Sequence, residues 1–208
     1  PPCFFGDQGL FIFLCYIYFM KIILGSSSSP RQKIMREMGY KFEIISPDID
    51  EKAIRLSDPR ELTVAIAKAK NAAVLGRIND PSIVVTSDQV VVCNGVIREK
   101  PIDASEARNF LESYSHHPAE TCTAVVVTNT ATGVSRVVVD IAKIYFRSIP
   151  DDVIDKLIDE GNIFRASGGF ISEDPLIDPY VIKIEGTQDS IMGLPKELTK
   201  RLIEEVCG

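Results

Sequence analysis

The chain has 208 residues, 45% of them apolar, which suits one large domain or two closely joined lobes with a real core and argues against disorder. Its 23 basic and 29 acidic residues give a net charge of −6 without a long basic run, so general electrostatic binding to nucleic acid is disfavoured. Cys3, Cys15, Cys93, Cys122 and Cys207 form no C-x-x-C pair and no metal-ligand spacing, which argues against a zinc site or disulfide framework and for a reducing compartment.

The N-terminal stretch stands apart. Residues 9–20 are almost wholly apolar and aromatic, yet too short to span a bilayer, and no basic segment precedes them as in a signal peptide. Met20-Lys21 runs directly into a strand-like Ile22-Ile23-Leu24, so residues 1–19 read as a leader or non-native extension outside the fold, with an amphiphilic or targeting segment as the alternative. Residues 20–208 are then expected to form a single domain with no membrane partner.

Ile22 to Leu24 reads as a short buried strand. Gly25 and the serines after it form a loop into a helix from Pro30 to Met38, with Ile34, Met35 and Met38 as its apolar face and Gly39 as its stop. Phe42 to Ile45 reads as a second strand. Asp58-Pro59-Arg60-Glu61 places a cap, a first-turn proline and a capping-box glutamate in register, and Leu62, Ile66, Ala69 and Ala73 continue the stripe of that helix. Lys68 and Lys70 lie about 200° apart around it, so at most one faces a given site.

Asn94-Gly95 predicts a tight turn into Val96-Ile97-Arg98, and Lys100 falls where this strand gives way to a second boxed helix at Asp103-x-x-Glu106, carrying Ala107, Phe110 and Leu111. His116 and His117 read as a surface loop. Thr121 to Thr128, a turn at Thr132-Gly133, and Val134 to Phe146 predict a long antiparallel hairpin. A helix over Pro150 to Glu160, a glycine-bearing loop and strand over Ile163 to Glu173, and a closing helix over Pro195 to Val206 complete the pattern. Alternating strands and helices followed by a hairpin predict an α/β fold with a mixed sheet and flanking helices.

Ser87-Asp88-Gln89 interrupts two apolar runs, Ile83-Val84-Val85 and Val90-Val91-Val92. Burying Asp88 without a cation or donor costs several kcal/mol, so either it caps a neighbouring turn or a ligand and a counter-charge meet it there. The loop Ser26-Ser27-Ser28-Ser29-Pro30-Arg31 joins a strand to a helix start, where free N–H groups and the helix dipole can hold phosphate oxygens and Arg31 can add a bidentate grip. Among the motifs absent are G-x-x-x-x-G-K-[ST], a strand-following G-x-G-x-x-G and G-x-S-x-G, so kinase-type transfer and serine-nucleophile chemistry lack support. Glu51 and Asp88 can supply oxygen ligands for Mg²⁺, with Arg31, Lys70 and Lys100 covering phosphates and Asp88 orienting or deprotonating a water.

Leu24-Gly25-Ser26-Ser27-Ser28-Ser29-Pro30-Arg31, Asp48-Ile49-Asp50-Glu51, Ala67-Lys68-Ala69-Lys70, Ser87-Asp88-Gln89, Glu99-Lys100-Pro101 and Met192-Gly193-Leu194-Pro195 occur in the order and spacing of the Maf family, which the chain resembles from residue 21 onward. That resemblance implies an inosine triphosphate pyrophosphatase-like fold with two lobes around a cleft. It also implies hydrolysis of nucleoside triphosphates between the α and β phosphates with a divalent cation, Mg²⁺ first and Mn²⁺ or Co²⁺ as alternatives. By position, Asp88 matches the family's catalytic base or metal-binding acid, Glu51 its second acid, and Arg31, Lys70 and Lys100 its phosphate-binding cations, with Ser26 and Ser28 as the loop serines. Gln89 and Glu173 resemble the subgroup acting on 7-methylguanosine triphosphate, while Pro30 stands at a position thought to tune specificity; dTTP and UTP preference is the alternative substrate reading. A cytoplasmic, house-cleaning enzyme follows, with a nucleotide-binding regulator of cell division as the competing reading and a homodimer as one open oligomeric state.

Overall fold

The computed structural model describes residues 20–208, so the reading of residues 1–19 lies outside the described part. β1 (Lys21–Leu24), β2 (Phe42–Ile44), β3 (Ser82–Cys93), β4 (Val96–Arg98), β5 (Ala119–Asn129), β6 (Ser135–Phe146) and β7 (Val181–Glu185) make one seven-stranded sheet in the order β2-β1-β3-β5-β6-β7, with β4 paired to β3. The β1 pairings with β2 and β3 are parallel and all others antiparallel, so the expected mixed sheet is present. The helices are α1 (Ser29–Glu37), α2 (Pro59–Leu75), α3 (Ala104–Ser113), α4 (Asp151–Glu160), α5 (Gln188–Ile191) and α6 (Lys196–Cys207).

Local signals set most of these boundaries. Asp58 caps α2 by accepting from the backbone N–H groups of Arg60 and Glu61, and Asp103 caps α3 by accepting from Glu106 N. Glu106 completes its box one residue early, accepting from Ile102 N at 2.8 Å. Asn94 and Gly95 take φ of 49° and 75°, the left-handed pair that a two-residue hairpin turn between β3 and β4 requires.

Two expectations are corrected. Residues 163–173 hold no strand: Asn162–Arg165 and Ser167–Gly169 are 3-10 turns, and the strand of this region is β7, further along the chain. The buried stripe of α2 is Leu62, Thr63, Ile66, Ala67, Lys70, Asn71 and Val74, not one running through Ala69 and Ala73, because the helix is rotated to point Lys70 at the sheet. Lys68 is exposed as a consequence.

β3 organises the domain. On one face, Ile83 and Val85 join Ile34 and Met35 of α1 and Leu202 and Ile203 of α6 in a first core. Further along that face, Val91 and Cys93 join Leu111, Tyr114, Phe146 and Phe170 in a second. Ser87 and Gln89 lie between them, so the polar interruption read in the sequence is where the two lobes separate. The strand's edge divides in the same way: β1 pairs with Ser82 to Val85 and β4 with Val91 to Cys93, leaving Thr86 to Val90 without a strand neighbour on that side. At roughly 3.3 Å per residue this opening is long enough to admit a ligand.

The far wall depends on a glycine. Gly168 has φ +73°, accepts from the Tyr114 hydroxyl at 2.7 Å, and leaves only 2.8 Å to that oxygen and 2.9 Å to Val91 Cβ for a side chain of its own. Gly168→Ala combines a left-handed backbone with overpacking and is expected to cost about 2–4 kcal/mol. A urea midpoint equal to wild type would contradict this.

Candidate active site

The cleft over the open edge of β3 has a volume of about 910 Å³, within the roughly 300–1,000 Å³ common for small-molecule sites. Each predicted site residue, Ser26, Ser28, Pro30, Arg31, Glu51, Lys70, Asp88, Gln89, Lys100 and Glu173, lines it. The structure also adds Arg165 and Ser167 to its walls.

Asp88 and Lys70 form its floor. The Lys70 ammonium lies 2.7 Å from Asp88 Oδ1 and 3.0 Å from Glu51 Oε1, and its side chain and that of Asp88 are only 7% and 8% exposed. Lys70 is driven there by the register of α2, whose Ala67 carbonyl accepts from Thr86 Oγ1 at 3.0 Å. The hydrogen bond to Asp88 uses one of the three ammonium donors, and Glu51 lies within ion-pair distance of the same nitrogen. Burial lifts the Asp88 carboxyl above the usual carboxylate range; Lys70 and Arg31 oppose that shift, and Glu51 adds to it.

Only one member of the acidic run reaches this floor. Asp48 turns the chain at φ 48°, Asp50 accepts from Lys52 N at 3.1 Å to cap the 3-10 turn Glu51–Ala53, and Glu51 alone projects to Lys70. Ile49 and Ile54 pack beside Leu62, Ile66 and Val90, fixing the segment on α2. Arg55 and Glu99, 2.6 Å apart, tie it to the strand end that carries Lys100.

The serine loop leaves backbone N–H groups free at a helix start. Ser26 is buried and its hydroxyl accepts from Ser28 N at 3.2 Å, while Ser28, the residue before α1, makes no side-chain cap. Pro30 has no N–H to satisfy. No acidic residue occupies the first turn of α1, whereas α2 to α6 each carry at least one there. Free N–H groups at the positive end of a helix dipole therefore face the cleft without a competing carboxylate. Gly25 permits the approach, since a Cβ there would sit 2.5 Å from Thr86 Cγ2.

Arg31 is held in place by backbone carbonyls. Its Nε donates to Gly193 O at 2.9 Å and one terminal nitrogen to Ser87 O at 2.8 Å, so part of the fork is spent on backbone. Burial pushes the pKa of the guanidinium down, and the nearby Asp88 and Glu51 charges oppose that shift; an arginine stays cationic throughout. The carbonyls along the open edge are shared out in sequence: Val85 O accepts from Gly25 N, Ser87 O from Arg31, and Gln89 O, at a longer 3.4 Å, from Ser167 Oγ. Ser167 thus has a place that nothing in its local sequence explains.

Gln89 is anchored rather than loose. Its Nε2 donates to Thr123 Oγ1, Ser190 O and Ile191 O at 2.8, 3.0 and 3.2 Å. Gly193, at φ +91°, accepts from both Arg31 and the Ser87 hydroxyl, which gives the Met192-Gly193-Leu194-Pro195 motif a bracing function. Glu173 reaches the mouth of the cleft and pairs with Lys33 at 2.6 Å, a partner that the sequence did not single out. Lys100 and Arg165 are exposed cations on the walls.

These features define an α/β protein whose interlobe cleft combines a buried acid–lysine pair with a serine-rich loop at an acid-free helix start. A family model described as Maf-like protein matches residues 21–206, and the chain belongs to the Maf family. A 7-methyl-GTP pyrophosphatase of Dictyostelium discoideum is 47% identical over 192 residues, covering 89% of this chain and 96% of the relative. A dTTP/UTP pyrophosphatase of Vibrio vulnificus is 30% identical over 185 residues, covering 89% and 98%. A crystal structure of a nucleoside-triphosphatase, a dITP/XTP pyrophosphatase, from Mycobacterium abscessus overlaps 63% of this chain and 76% of its own at a TM-score of 0.40 and 16% identity.

The raised Asp88 carboxyl couples protonation to folding. Folding raises its proton affinity, so protonated Asp88 favours the folded state and that contribution fades as pH rises through the folded value. By carbon-detected NMR without divalent ions, Asp88 is expected to titrate above the ordinary value of about 3.9. Lys70→Met, by deleting the nearest cation, is expected to move that midpoint higher still; a fall would contradict the pairing.

Proposed function

We propose that this protein hydrolyses nucleoside triphosphates between the α and β phosphates, acting on 7-methylguanosine triphosphate in preference to UTP. The observation that carries the reading is the Lys70 ammonium held between Asp88 and Glu51 beside the uncapped start of α1. The 47% identity to a 7-methyl-GTP pyrophosphatase, against 30% to a dTTP/UTP pyrophosphatase, supports the order of substrates.

In this reading the N–H groups of the Ser26 to Arg31 loop, with Arg31, Lys70 and Lys100, bind the phosphate oxygens and compensate their charge. Asp88 orients a water and takes its proton. The water oxygen bonds to the α-phosphorus, the bond from that phosphorus to the α,β-bridging oxygen breaks, and pyrophosphate leaves with the bridging oxygen. A base whose carboxyl is lifted toward neutrality by burial is better matched to this task than an exposed aspartate.

The donor set also fits a divalent cation. Two carboxylates from different elements converge on one positive charge next to a phosphate cradle, and Mg²⁺ asks for one or two carboxylates with water and phosphate completing its shell. Asp88 and Glu51 would hold it. Bound there, such an ion supplies neutralisation of the triphosphate and polarisation of its oxygens.

At the mouth, the Glu173 carboxylate offers acceptors of the kind that the ring N–H and exocyclic amine of a guanine require, and Gln89 lines the same cleft beside Asp88. The free thiols of Cys93, Cys122 and Cys207 suit a reducing compartment, which supports a cytoplasmic house-cleaning role. No helix among the described residues is long and apolar enough to cross a membrane. A homodimer is the oligomer to look for by mass in solution.

Pyrophosphate release should be seen from 7-methyl-GTP with Mg²⁺ and be lost on chelation. Asp88→Asn is expected to lower kcat on the order of hundreds-fold or more, and wild-type turnover in that variant would remove Asp88 from the chemistry. Gln89→Thr combined with Glu173→Gln should lower the kcat/KM ratio of 7-methyl-GTP to UTP; an unchanged ratio would take both residues out of base selection.

A further inference from the structure

We infer that Lys33 is a positioning residue for base selection, holding the Glu173 carboxylate over the cleft from the opposite lobe. Lys33 lies on α1, which is seated in the first core by Ile34 and Met35. Glu173 lies on the hydrogen-bonded turn from Ile171 to Asp174 that follows Phe170 of the second core. The ammonium and Oε1 are 2.6 Å apart across 140 residues of chain, so this pair joins the two lobes at the mouth of the site.

The surrounding charges favour one arrangement. Lys33 is one turn after Pro30 on the same face of α1, and Pro30 lines the cleft. One turn further on stands Glu37, which is 2.6 Å from Lys196 at the start of α6, so Glu173, Lys33, Glu37 and Lys196 alternate in sign. A glutamate has three rotatable bonds, and ordering it anew at each binding event costs affinity. Lys33 removes that cost by occupying one carboxylate oxygen and leaving the other for the base.

The inference rests on Glu173 as a base-reading group. Binding of non-hydrolysable α,β-methylene GTP and UTP analogues, measured calorimetrically, tests it without requiring turnover. Both partners are half-exposed, at 51% and 38%, so the expected effect is modest: Lys33→Met should weaken the GTP analogue about three- to fivefold and leave the UTP analogue unchanged. Lys33→Arg should restore binding. The base preference of wild type should decline with ionic strength while that of Lys33→Met stays flat, and Lys33→Met should add nothing in a Glu173→Gln background.

Equal weakening of both analogues, an effect that persists without Glu173, or no effect would each overturn the inference. If Glu173→Gln itself leaves base preference unchanged, base selection by Glu173 falls and this inference with it. Failure to release pyrophosphate from any triphosphate, with base preference and its loss in Lys33→Met intact, would sink only the proposed reaction.

Discussion

A carboxylate and an ammonium placed together in the interior must either satisfy each other or destabilise the fold, and that constraint organises this protein. Asp88 sits in a strand whose neighbours are Val84, Val85, Val90 and Val91, and Lys70 is the side chain that α2 brings to meet it. The pair is retained at a cost in desolvation that an apolar pair of similar volume would avoid. What it provides in return is a fixed acid whose proton affinity is raised by burial, next to a cation with a donor to spare.

The sheet supplies the opening that makes this pair useful. β1 ends opposite Val85 and β4, running the other way, ends opposite Val91, so the central strand stays paired with β5 on one side and has a gap on the other. Backbone groups in a gap need partners, and the glycine loop, Arg31 and Ser167 serve its carbonyls. Arg31 therefore works as a brace as well as a charge. Gly193 links it to Ser87, and the adjacent Ser190 and Ile191 carbonyls hold Gln89, so one turn steadies Arg31, Ser87 and Gln89 together.

Helix termini tell the same story in reverse. α2, α3 and α5 satisfy their first N–H groups with Asp58, Asp103 and Thr187, whereas α1 keeps its own available and carries no acid nearby. In a chain with net charge −6, an acid-free helix start facing a cleft is a local inversion of the general field.

Much of this was readable from residues alone wherever the signal was short-ranged. Caps at Asp58 and Asp103, the Asn94-Gly95 turn, the hairpin of β5 and β6, and the interruption of β3 at Asp88 each depend on neighbours within a few positions, and ordered motifs extended that reading to the residues lining the cleft. Tertiary packing decided the rest. The rotation of α2 that buries Lys70 instead of Lys68, the selection of Glu51 from four consecutive residues, the anchoring of Arg31 by backbone carbonyls, and the pairing of Lys33 with Glu173 all depend on groups brought close by the sheet's register. Those energies arise only when the chain is folded, because Coulomb attraction, desolvation and steric limits act through space, and no local pattern encodes which distant partner will be there.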